Sequence, residues 1–513
     1  MVWVRSIDVQ QKYLIGVDIG TQGTKTALIS LEGHIVSDAF EASKLISPSK
    51  GVVQQEADDI YLSVINTIFQ VITKSGVNSE DVLGIGIDAQ MAGIMGIDKE
   101  WNAVTYYDSW LDTRCEKYIE QIKKEAEDKV VRITGCAVTY THGPKILWWK
   151  HERPEIYKKI DKFIMPSTYV VGRLAGLKAD EAYIDYTHLH FSGFGDVENL
   201  KWSDELLSLF KVEKSKMPEI VEPWKVIGGL TEDAARRCNL IAGMPIVAGC
   251  GDSAATILGS GITKKGLLFD VAGTASIFAC CVDKYKPDVS TKTMLYARSV
   301  IPGLWTPLAY INGGGMCLKW FRDNLTGKEN MPSYTDLDRD AEKIVPGSDG
   351  LMFLPHFSGR VCPNDPNVRG TWIGLSWIHS REHMYRSIME GIAYEYSYYL
   401  KVIKGLLSDV EFSQVYAIGG GSKSILFNSI KSDVLGIKYS TLNASDTAVI
   451  GSAVIAGYGV KAFSNMEETV DRFIRIENQI EPNIQRHLEY KKFTGPYEKV
   501  FEALGPTIKA ISG

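Results

Sequence analysis

The sequence lacks the features that mark several broad classes of protein. Its eight cysteines include no CxxC pair and no histidine-rich neighbourhood, which argues against a structural zinc site and predicts reduced, buried thiols. No block of Lys or Arg stands out and the formal net charge is −6, so no nucleic-acid partner is expected. No apolar run is long enough to span a membrane, because the most apolar stretch, Gly266 to Val282, is short and contains Asp270. That stretch predicts a pair of buried strands instead.

Targeting and common nucleotide motifs are also missing. The stretch from Met1 to Gly20 has no long apolar segment followed by a small-residue cleavage site, so we expect no secretory signal peptide and a cytoplasmic protein. The chain has no GxxxxGK[ST] spacing, and no GxGxxG opens a strand–helix unit. Neither a P-loop nor a Rossmann nucleotide site is therefore expected.

What is present is a long chain of alternating strand-like and helix-like patterns. At 513 residues it exceeds the size at which single cores stop growing, so at least two domains are expected. Residues Tyr13 to Ser30 predict a β-hairpin, and Leu83 to Asp88 a short buried strand. Apolar spacing predicts helices from Glu56 to Lys74 and from Arg381 to Leu407. The class is α/β.

A weak internal repeat divides the chain into near-equal halves. The segment LIGVDIGTQGTKTALI, from Leu14, is echoed by GLLFDVAGTASIFACC, from Gly266, and both predict a strand, a Gly-Thr turn and a second strand. The stretch Gly259 to Lys265 has the composition of a loop joining the halves. The repeat predicts two similar domains, 12–260 and 261–508, with a cleft between them.

The first copy contains a Gly-rich turn that could hold phosphate. It reads Asp18-Ile-Gly-Thr21-Gln22-Gly23-Thr-Lys25, and its backbone N–H groups can point at phosphate oxygens. A carboxylate so close to phosphate needs a cation between them, so Asp18 suggests Mg²⁺ bound through water. Taken alone, the turn also fits a hairpin with an Asp cap.

Two further Gly-rich turns lie in the second half of the chain. They are Ala272-Gly273-Thr274-Ala-Ser and Ile418-Gly-Gly420-Gly421-Ser, and the second presents a face without side chains that suits a flat base or an α-phosphate. Each alone could be an ordinary strand-to-helix connection. Their occurrence with the repeat favours a nucleotide site.

Asp252 is the candidate catalytic base. A buried strand ends in Gly-Cys-Gly, and Asp252 then begins a helix of small residues. A carboxylate at that position can accept a proton from a sugar hydroxyl during phosphoryl transfer. Asp is also a preferred helix N-cap, and the two roles are compatible.

A candidate sugar-binding set lies between Ser109 and Arg114. Trp110 offers an aromatic face, and Asp112 and Arg114 can share sugar hydroxyls, although a surface ion pair at a helix start fits equally well. Lys145 favours a packed position with its amine reaching solvent. His188 and His190 favour loop or strand positions over metal binding.

These motifs together resemble the FGGY family of carbohydrate kinases, over nearly the whole chain. The segment Gly370-Thr-Trp-Ile-Gly-Leu375, followed after seven residues by His383-Met-Tyr-Arg-Ser-Ile-Met-Glu390, fits the second family signature at every defined position. The first signature fits in part: Lys145 and Trp148 are in place, and His142, Trp149 and His151 depart from it. The resemblance implies two RNase H-like domains, of the actin/hexokinase ATPase type, flanking a catalytic cleft.

The resemblance also implies roles for individual residues. Asp18 would lie near Mg²⁺ and the γ-phosphate, and Asp252 would be the general base. The residues implied to contact ATP are Thr21, Gln22, Lys25, Gly273, Thr274, Gly315, Gly420 and Gly421. Those implied to contact the sugar are Gln90, Met91, Trp110, Asp112, Arg114, Asp252 and Ser253.

The motifs identify the substrate less directly than they identify the family. Xylulokinases, the most similar members, show QMHG and GDN where this chain has Gln90-Met91-Ala92-Gly93 and Gly251-Asp252-Ser253. The resemblance implies ATP-dependent phosphorylation of a small ketose or polyol, with D-xylulose first and ribulose, glycerol or gluconate as alternatives. A rival interpretation is an actin- or Hsp70-like protein that uses ATP only for conformational switching, which would need no sugar pocket. The oligomeric state stays open, with a homodimer as one candidate.

Overall fold

A computed structural model describes residues 11–327, 331–442 and 446–512. Its strands, in chain order, are β1 (Tyr13–Ile19), β2 (Gly23–Ser30), β3 (Ile35–Ala42), β4 (Gln54–Gln55), β5 (Val82–Ala89), β6 (Met95–Ile97), β7 (Tyr107–Asp108), β8 (Lys162–Ile164), β9 (Tyr183–Asp185), β10 (Gly195–Asp196), β11 (Lys201–Trp202), β12 (Glu219–Val221), β13 (Val226–Gly229), β14 (Pro245–Val247), β15 (Cys250–Gly251), β16 (Leu267–Ala272), β17 (Ser276–Cys280), β18 (Leu295–Arg298), β19 (Trp305–Ile311), β20 (Met352–Leu354), β21 (Thr371–Ile373), β22 (Gln414–Ile418), β23 (Lys438–Leu442) and β24 (Ile476–Ile480).

Helices alternate with these strands, as the sequence patterns predict. The α-helices are α1 (Ala57–Ser75), α2 (Glu116–Thr134), α3 (His142–Glu152), α4 (Pro154–Tyr157), α5 (Pro166–Ala175), α6 (Asp204–Leu209), α7 (Glu232–Cys238), α8 (Asp252–Gly259), α9 (Gly314–Leu325), α10 (Tyr334–Ala341), α11 (Arg381–Leu406), α12 (Ile425–Leu435), α13 (Thr447–Gly459), α14 (Met466–Phe473) and α15 (Ile484–Ser512).

Local sequence explains the elements that were predicted. In α1 the residues Ile60, Val64, Ile68 and Ile72 are buried on one face, and Gly76 ends the helix in the left-handed conformation, with φ of 67°. The β1–β2 hairpin, the strand β5 and the helix α11 all form within one or two residues of their predicted bounds. The eight cysteines are all buried and unpaired.

The N-terminal half contains a mixed sheet with the order β13-β14-β5-β1-β2-β3, and β15 also pairs with β5. Strands β1, β2 and β3 are antiparallel, whereas β5 is parallel to β1 and β14 is parallel to β5. A second sheet in the C-terminal half has the order β18-β19-β17-β16-β22-β23-β24.

The two sheets share one topology. The antiparallel run β16, β17, β19 corresponds to β1, β2, β3, and the parallel strands β22 and β23 correspond to β5 and β14. The internal repeat is thus a repeat of an RNase H-like sheet, and the predicted fold class is confirmed.

Helices α8 and α13 each pack against the sheet of the other half of the chain. Helix α8 follows the N-terminal sheet, but Ile257 packs with residues of the C-terminal sheet such as Phe269. Helix α13 follows the C-terminal sheet and lies on β1 and β5, where Gly16 and Gly86 leave room for its backbone. Among the described residues no helix is both long and apolar enough to cross a membrane.

Candidate active site

Three carboxylates meet at one edge of the N-terminal sheet. Asp18 on β1 is paired in register with Asp88 on β5, and Asp88 is in turn paired with Cys250 on β15. Asp252 follows β15 directly, as the first residue of α8. Because these three strands are parallel, their carboxyl ends lie at the same edge, where ligands bind in open α/β sheets. The sequence predicted two members of this group, Asp18 and Asp252, and missed Asp88.

Burial changes the proton affinity of the two sheet carboxylates. It raises the pKa of Asp18 to about 6, and the negative charge of Asp252 adds to the rise. It raises the pKa of Asp88 well above its usual value, and the charge of Asp18 adds to that rise. The hydroxyl of Ser452, on α13, donates a 2.6 Å hydrogen bond to Asp88 Oδ2.

The two oxygens of Asp252 differ in their hydrogen bonds. Its Oδ1 accepts hydrogen bonds from the backbone N–H of Ser253 at 2.5 Å and from the Ser253 hydroxyl at 3.2 Å. Within the described part of the chain no group donates to its Oδ2. Burial raises the pKa of the carboxyl. The predicted capping role was wrong by one position, because Gly251 is the N-cap and Asp252 is the first helical residue.

The β1–β2 turn is joined to the predicted sugar set. The Trp110 indole N–H donates to Thr21 Oγ1 at 2.9 Å, and the Thr21 hydroxyl donates to Gln90 Oε1 at 3.4 Å. Trp110 is 40% exposed, so its ring stays open to a ligand. Met91 packs over Gly251, where a Cβ would lie 2.4 Å from its sulfur.

Asp112 is buried and pairs with Arg114, which is only partly exposed, so the two do not form a solvated surface pair. The Arg114 Nε donates to both oxygens of Asp112, at 3.0 and 2.9 Å, and the Val53 N–H donates to Asp112 Oδ2 at 2.9 Å. The Arg114 Nη2 donates to Asp108 Oδ1 at 2.5 Å, and the guanidinium stacks 4.4 Å from the Trp148 ring centroid. The alternative of a solvated ion pair is therefore wrong.

Three glycine turns of the C-terminal half converge into one cradle. A Cβ on Gly315 would lie 1.9 Å from Gly273 O, and a Cβ on Gly421 would lie 2.8 Å from the Ala272 Cβ. Gly420 faces open space. The N–H of Met316 donates to Thr274 O at 3.3 Å. The five predicted nucleotide residues of this half, Gly273, Thr274, Gly315, Gly420 and Gly421, thus lie together at the carboxyl ends of β16 and β22.

The remaining predicted phosphate contacts lie in the first turn. The Gly20 N–H donates to Gly23 O at 3.0 Å, which closes the turn, and Gln22 is exposed at its tip. Lys25 donates to Asp446, the residue before α13, so this lysine connects the two halves of the chain.

The prediction that the Lys145 amine reaches solvent is wrong. The amine is buried and donates to the carbonyls of Tyr140 and, at 3.3 Å, of Ala92. The predicted packed position is right, but the amine makes its hydrogen bonds inside the protein.

Asp88 could have been predicted from one sequence feature, a single carboxylate at the end of the apolar strand VLGIGIDA.

The second signature motif has a structural place. Its Glu390, buried on α11, accepts from Arg386 Nε at 2.8 Å, from the Gly347 N–H at 3.0 Å and from the Ser348 hydroxyl at 2.8 Å. A buried carboxylate satisfied in this way fixes the turn before β20 against α11.

Comparisons with known proteins agree with this geometry. The chain is 25% identical to a xylulose kinase of Bacillus subtilis (strain 168), over 96% of this chain and 97% of that protein. It is 26% identical to a gluconokinase of the same organism, over 90% of each chain. Its fold matches the crystal structure of gluconate kinase from Lactobacillus acidophilus with a TM-score of 0.91 at 22% identity, covering 98% of this chain and 100% of that one.

Family models match both halves. The N-terminal domain model of the FGGY family of carbohydrate kinases matches residues 13–259, and the C-terminal domain model of that family matches residues 269–460. The resemblance drawn from the motifs is confirmed, and a role limited to conformational switching is set aside. The chain belongs to the FGGY family of carbohydrate kinases, phosphotransferases that act on a sugar hydroxyl.

Proposed function

We propose that the protein transfers the γ-phosphate of ATP to a hydroxyl of a small ketose or polyol, with Asp252 as the catalytic base. The observation that carries the proposal is Asp252 Oδ2, to which no group of the described residues donates, at the sheet edge that also presents Asp18. The N-terminal domain would bind the sugar, and the glycine cradle of the C-terminal domain would bind the nucleotide.

Phosphoryl transfer does not require a strong base. As the acceptor hydroxyl attacks the γ-phosphorus, its O–H proton passes to Asp252 Oδ2 while the bond from phosphorus to the β-phosphate oxygen breaks. The transition state is loose, so the proton leaves late and positioning of the hydroxyl matters most. The Ser253 N–H holds Oδ1 and so fixes the direction of Oδ2.

The residues fit a magnesium nucleotide. Asp18 Oδ1 is buried and has no hydrogen-bond partner among the described residues, and a carboxylate oxygen is a ligand that Mg²⁺ accepts. Gly315 and Gly421 let the turns pack against Gly273 and Ala272 without a Cβ between them, and Gly420 faces open space, which suits close approach of ATP to the backbone. When bound, the ion would neutralise phosphate charge.

D-Xylulose is the first candidate acceptor, supported by a relative named a xylulose kinase. Gluconate is the second, supported by a relative named a gluconokinase and a neighbour named a gluconate kinase. ADP release should be measured with D-xylulose, D-ribulose, glycerol and gluconate, each with MgATP. A large rise over the sugar-free rate with one sugar supports the proposal, and no rise with any sugar contradicts it.

Two further parts of the proposal concern the cell and the assembly. A kinase that consumes ATP and has buried, unpaired thiols fits the cytoplasm. A homodimer is proposed as the assembly, and light scattering in solution would test it.

A further inference from the structure

A buried histidine–aspartate pair lies beside the proposed base. His188 Nδ1 and Asp185 Oδ2 are 2.5 Å apart, and both side chains are fully or almost fully buried. Asp185 Oδ1 accepts from the Thr187 N–H at 2.9 Å and from the Thr187 hydroxyl. With both carboxylate oxygens engaged, the imidazole is held in one orientation.

Two observations connect this pair with Asp252. The N–H of Gly251, the residue before the base, donates to Thr187 Oγ1 at 2.9 Å. His188 follows Thr187 directly and Asp252 follows Gly251 directly, so this hydrogen bond sets the two residues on adjoining segments. Burial raises the pKa of Asp252, and the Ser253 N–H and then the charge of His188 oppose that rise. The imidazole therefore belongs to the same site.

The other ring nitrogen of His188, Nε2, differs from Nδ1 in its surroundings. His188 Nε2 is buried and has no hydrogen-bond partner within the described residues. Leaving a buried polar atom unpaired is costly, so native structures nearly always supply a partner. A bound ligand can be that partner.

Among the described residues, the neighbouring polar groups do not supply a hydrogen-bond partner for His188 Nε2. The charge of His188 acts on His142, whose pKa burial lowers well below its usual value and whose Nε2 is also unpartnered in the described structure. Lys145 gives its hydrogen bonds to the carbonyls of Tyr140 and Ala92. The Nδ1 proton of His188 is committed to Asp185, so Nε2 accepts when the ring is neutral and donates when it is charged. A hydroxyl matches both states, because it can donate and accept.

We propose that His188 Nε2 hydrogen-bonds a second hydroxyl of the acceptor, close to the one that Asp252 deprotonates, and that Asp185 is its positioning residue. This inference rests on the proposed function. It makes His188 a specificity-determining residue that selects polyhydroxylated acceptors over deoxy analogues. A site built to hydrogen-bond a hydroxyl rejects an analogue lacking it far more strongly than an apolar pocket rejects a missing methylene.

The test combines two His188 variants with deoxy substrates. His188→Asn can retain a donor toward Asp185 but cannot reach the position of Nε2, whereas His188→Gln can place an amide there. We measure kcat/KM for the best substrate of the panel and for each of its monodeoxy analogues. His188→Asn should lower kcat/KM for the parent about tenfold or more, and His188→Gln should lose less. For one analogue, the one without the partner hydroxyl, wild type and His188→Asn should be equal.

Controls separate this contact from a structural role. His190→Asn changes a buried imidazole two residues away and should not abolish the difference between parent and deoxy substrate. Asp185→Asn should act through His188. The double variant Asp185→Asn/His188→Asn should therefore have a kcat/KM no lower than that of His188→Asn alone. If His188→Asn lowers kcat/KM equally for the parent and every analogue, or leaves it unchanged, the inference is wrong. If wild type phosphorylates no sugar, the proposed function fails with it.

Discussion

Gly259 and Gly451 lie at the point where α8 and α13 cross. A Cβ on Gly259 would lie 2.0 Å from Thr447 O, and a Cβ on Gly451 would lie 2.1 Å from Ala255 O. Each helix packs on the sheet of the other half, so this contact joins the halves behind the active site. Backbone carbonyls cannot move aside as a flexible side chain can.

An alanine at Gly451 should therefore destabilise the protein. We expect Gly451→Ala to lower the free energy of unfolding by about 1–3 kcal/mol, the usual cost of overpacking. The midpoint of thermal unfolding measures it. The matched control is Gly405→Ala in α11, where a Cβ meets no atom within 4 Å and should stabilise by about 0.5–1 kcal/mol. Equal effects of the two substitutions would show that the helix crossing tolerates a side chain.

The buried carboxylates should make stability depend on pH. Burial and neighbouring charge raise the pKa of Asp18 to about 6 and that of Asp88 well above its usual value. A carboxyl with a raised pKa binds its proton more tightly in the folded state. Its contribution is complete below the unfolded value, about 3.8, and is lost as the pH rises through the folded value. Without metal or nucleotide, the free energy of unfolding should carry a falling contribution between about pH 4 and pH 7.

The variant Asp88→Asn isolates that contribution. The amide keeps an acceptor for Ser452 but does not titrate, so the difference in stability between variant and wild type should change steadily across this pH range in favour of the variant. Denaturant titrations at several pH values measure the difference. Asp233→Asn, an exposed carboxylate on α7, should give a much flatter difference. A flat difference for Asp88→Asn as well would mean that Asp88 is ionised in the folded protein.

Local patterns carried most of the fold. The β1–β2 hairpin and helix α11 follow from residue periodicity and from stop signals within a few positions, and Asp252 from a strand end followed by small residues. The hydrogen bond between Asp88 and Ser452 joins positions 364 residues apart in the chain. The crossing of α8 and α13 depends on how the two sheets pack in the folded protein. Spacing along the chain does not contain that information. Neither does it show that Asp112 is buried and Arg114 half-buried, because the enclosing Val53 and Trp148 lie on other segments.

Removing the proposed base should stop turnover without unfolding the protein. In Asp252→Asn the amide oxygen can still accept from the Ser253 N–H, but no carboxylate remains to take the proton. We expect kcat to fall about 10²–10⁴-fold, with the melting temperature nearly unchanged. Asp233→Asn, in the first turn of another helix, should retain full activity. Near-normal turnover of Asp252→Asn would exclude this residue as the base.

The last prediction concerns Ala92 and Ser253, where the xylulokinase pattern has His and Asn. Ala92 has φ of 63°, in the left-handed region, where His is among the residue types found more often than alanine. The backbone at Ala92 should thus accommodate Ala92→His, and together with Ser253→Asn this change should add two polar contacts to the sugar. Each regained hydrogen bond contributes about 1 kcal/mol, so kcat/KM for D-xylulose relative to the best other sugar should rise roughly tenfold or more.

The measurement compares that ratio in wild type, both single variants and the double variant. Ser253→Ala provides the control for Ser253, because it removes the 3.2 Å contact of the Ser253 hydroxyl with Asp252 Oδ1 without adding an amide. It should not raise the ratio, because it adds no polar group toward the sugar while the backbone N–H of Ser253 still holds that oxygen. A wild type that already prefers D-xylulose by a wide margin would contradict the argument, because a methyl and a short hydroxyl would then suffice for xylulose recognition.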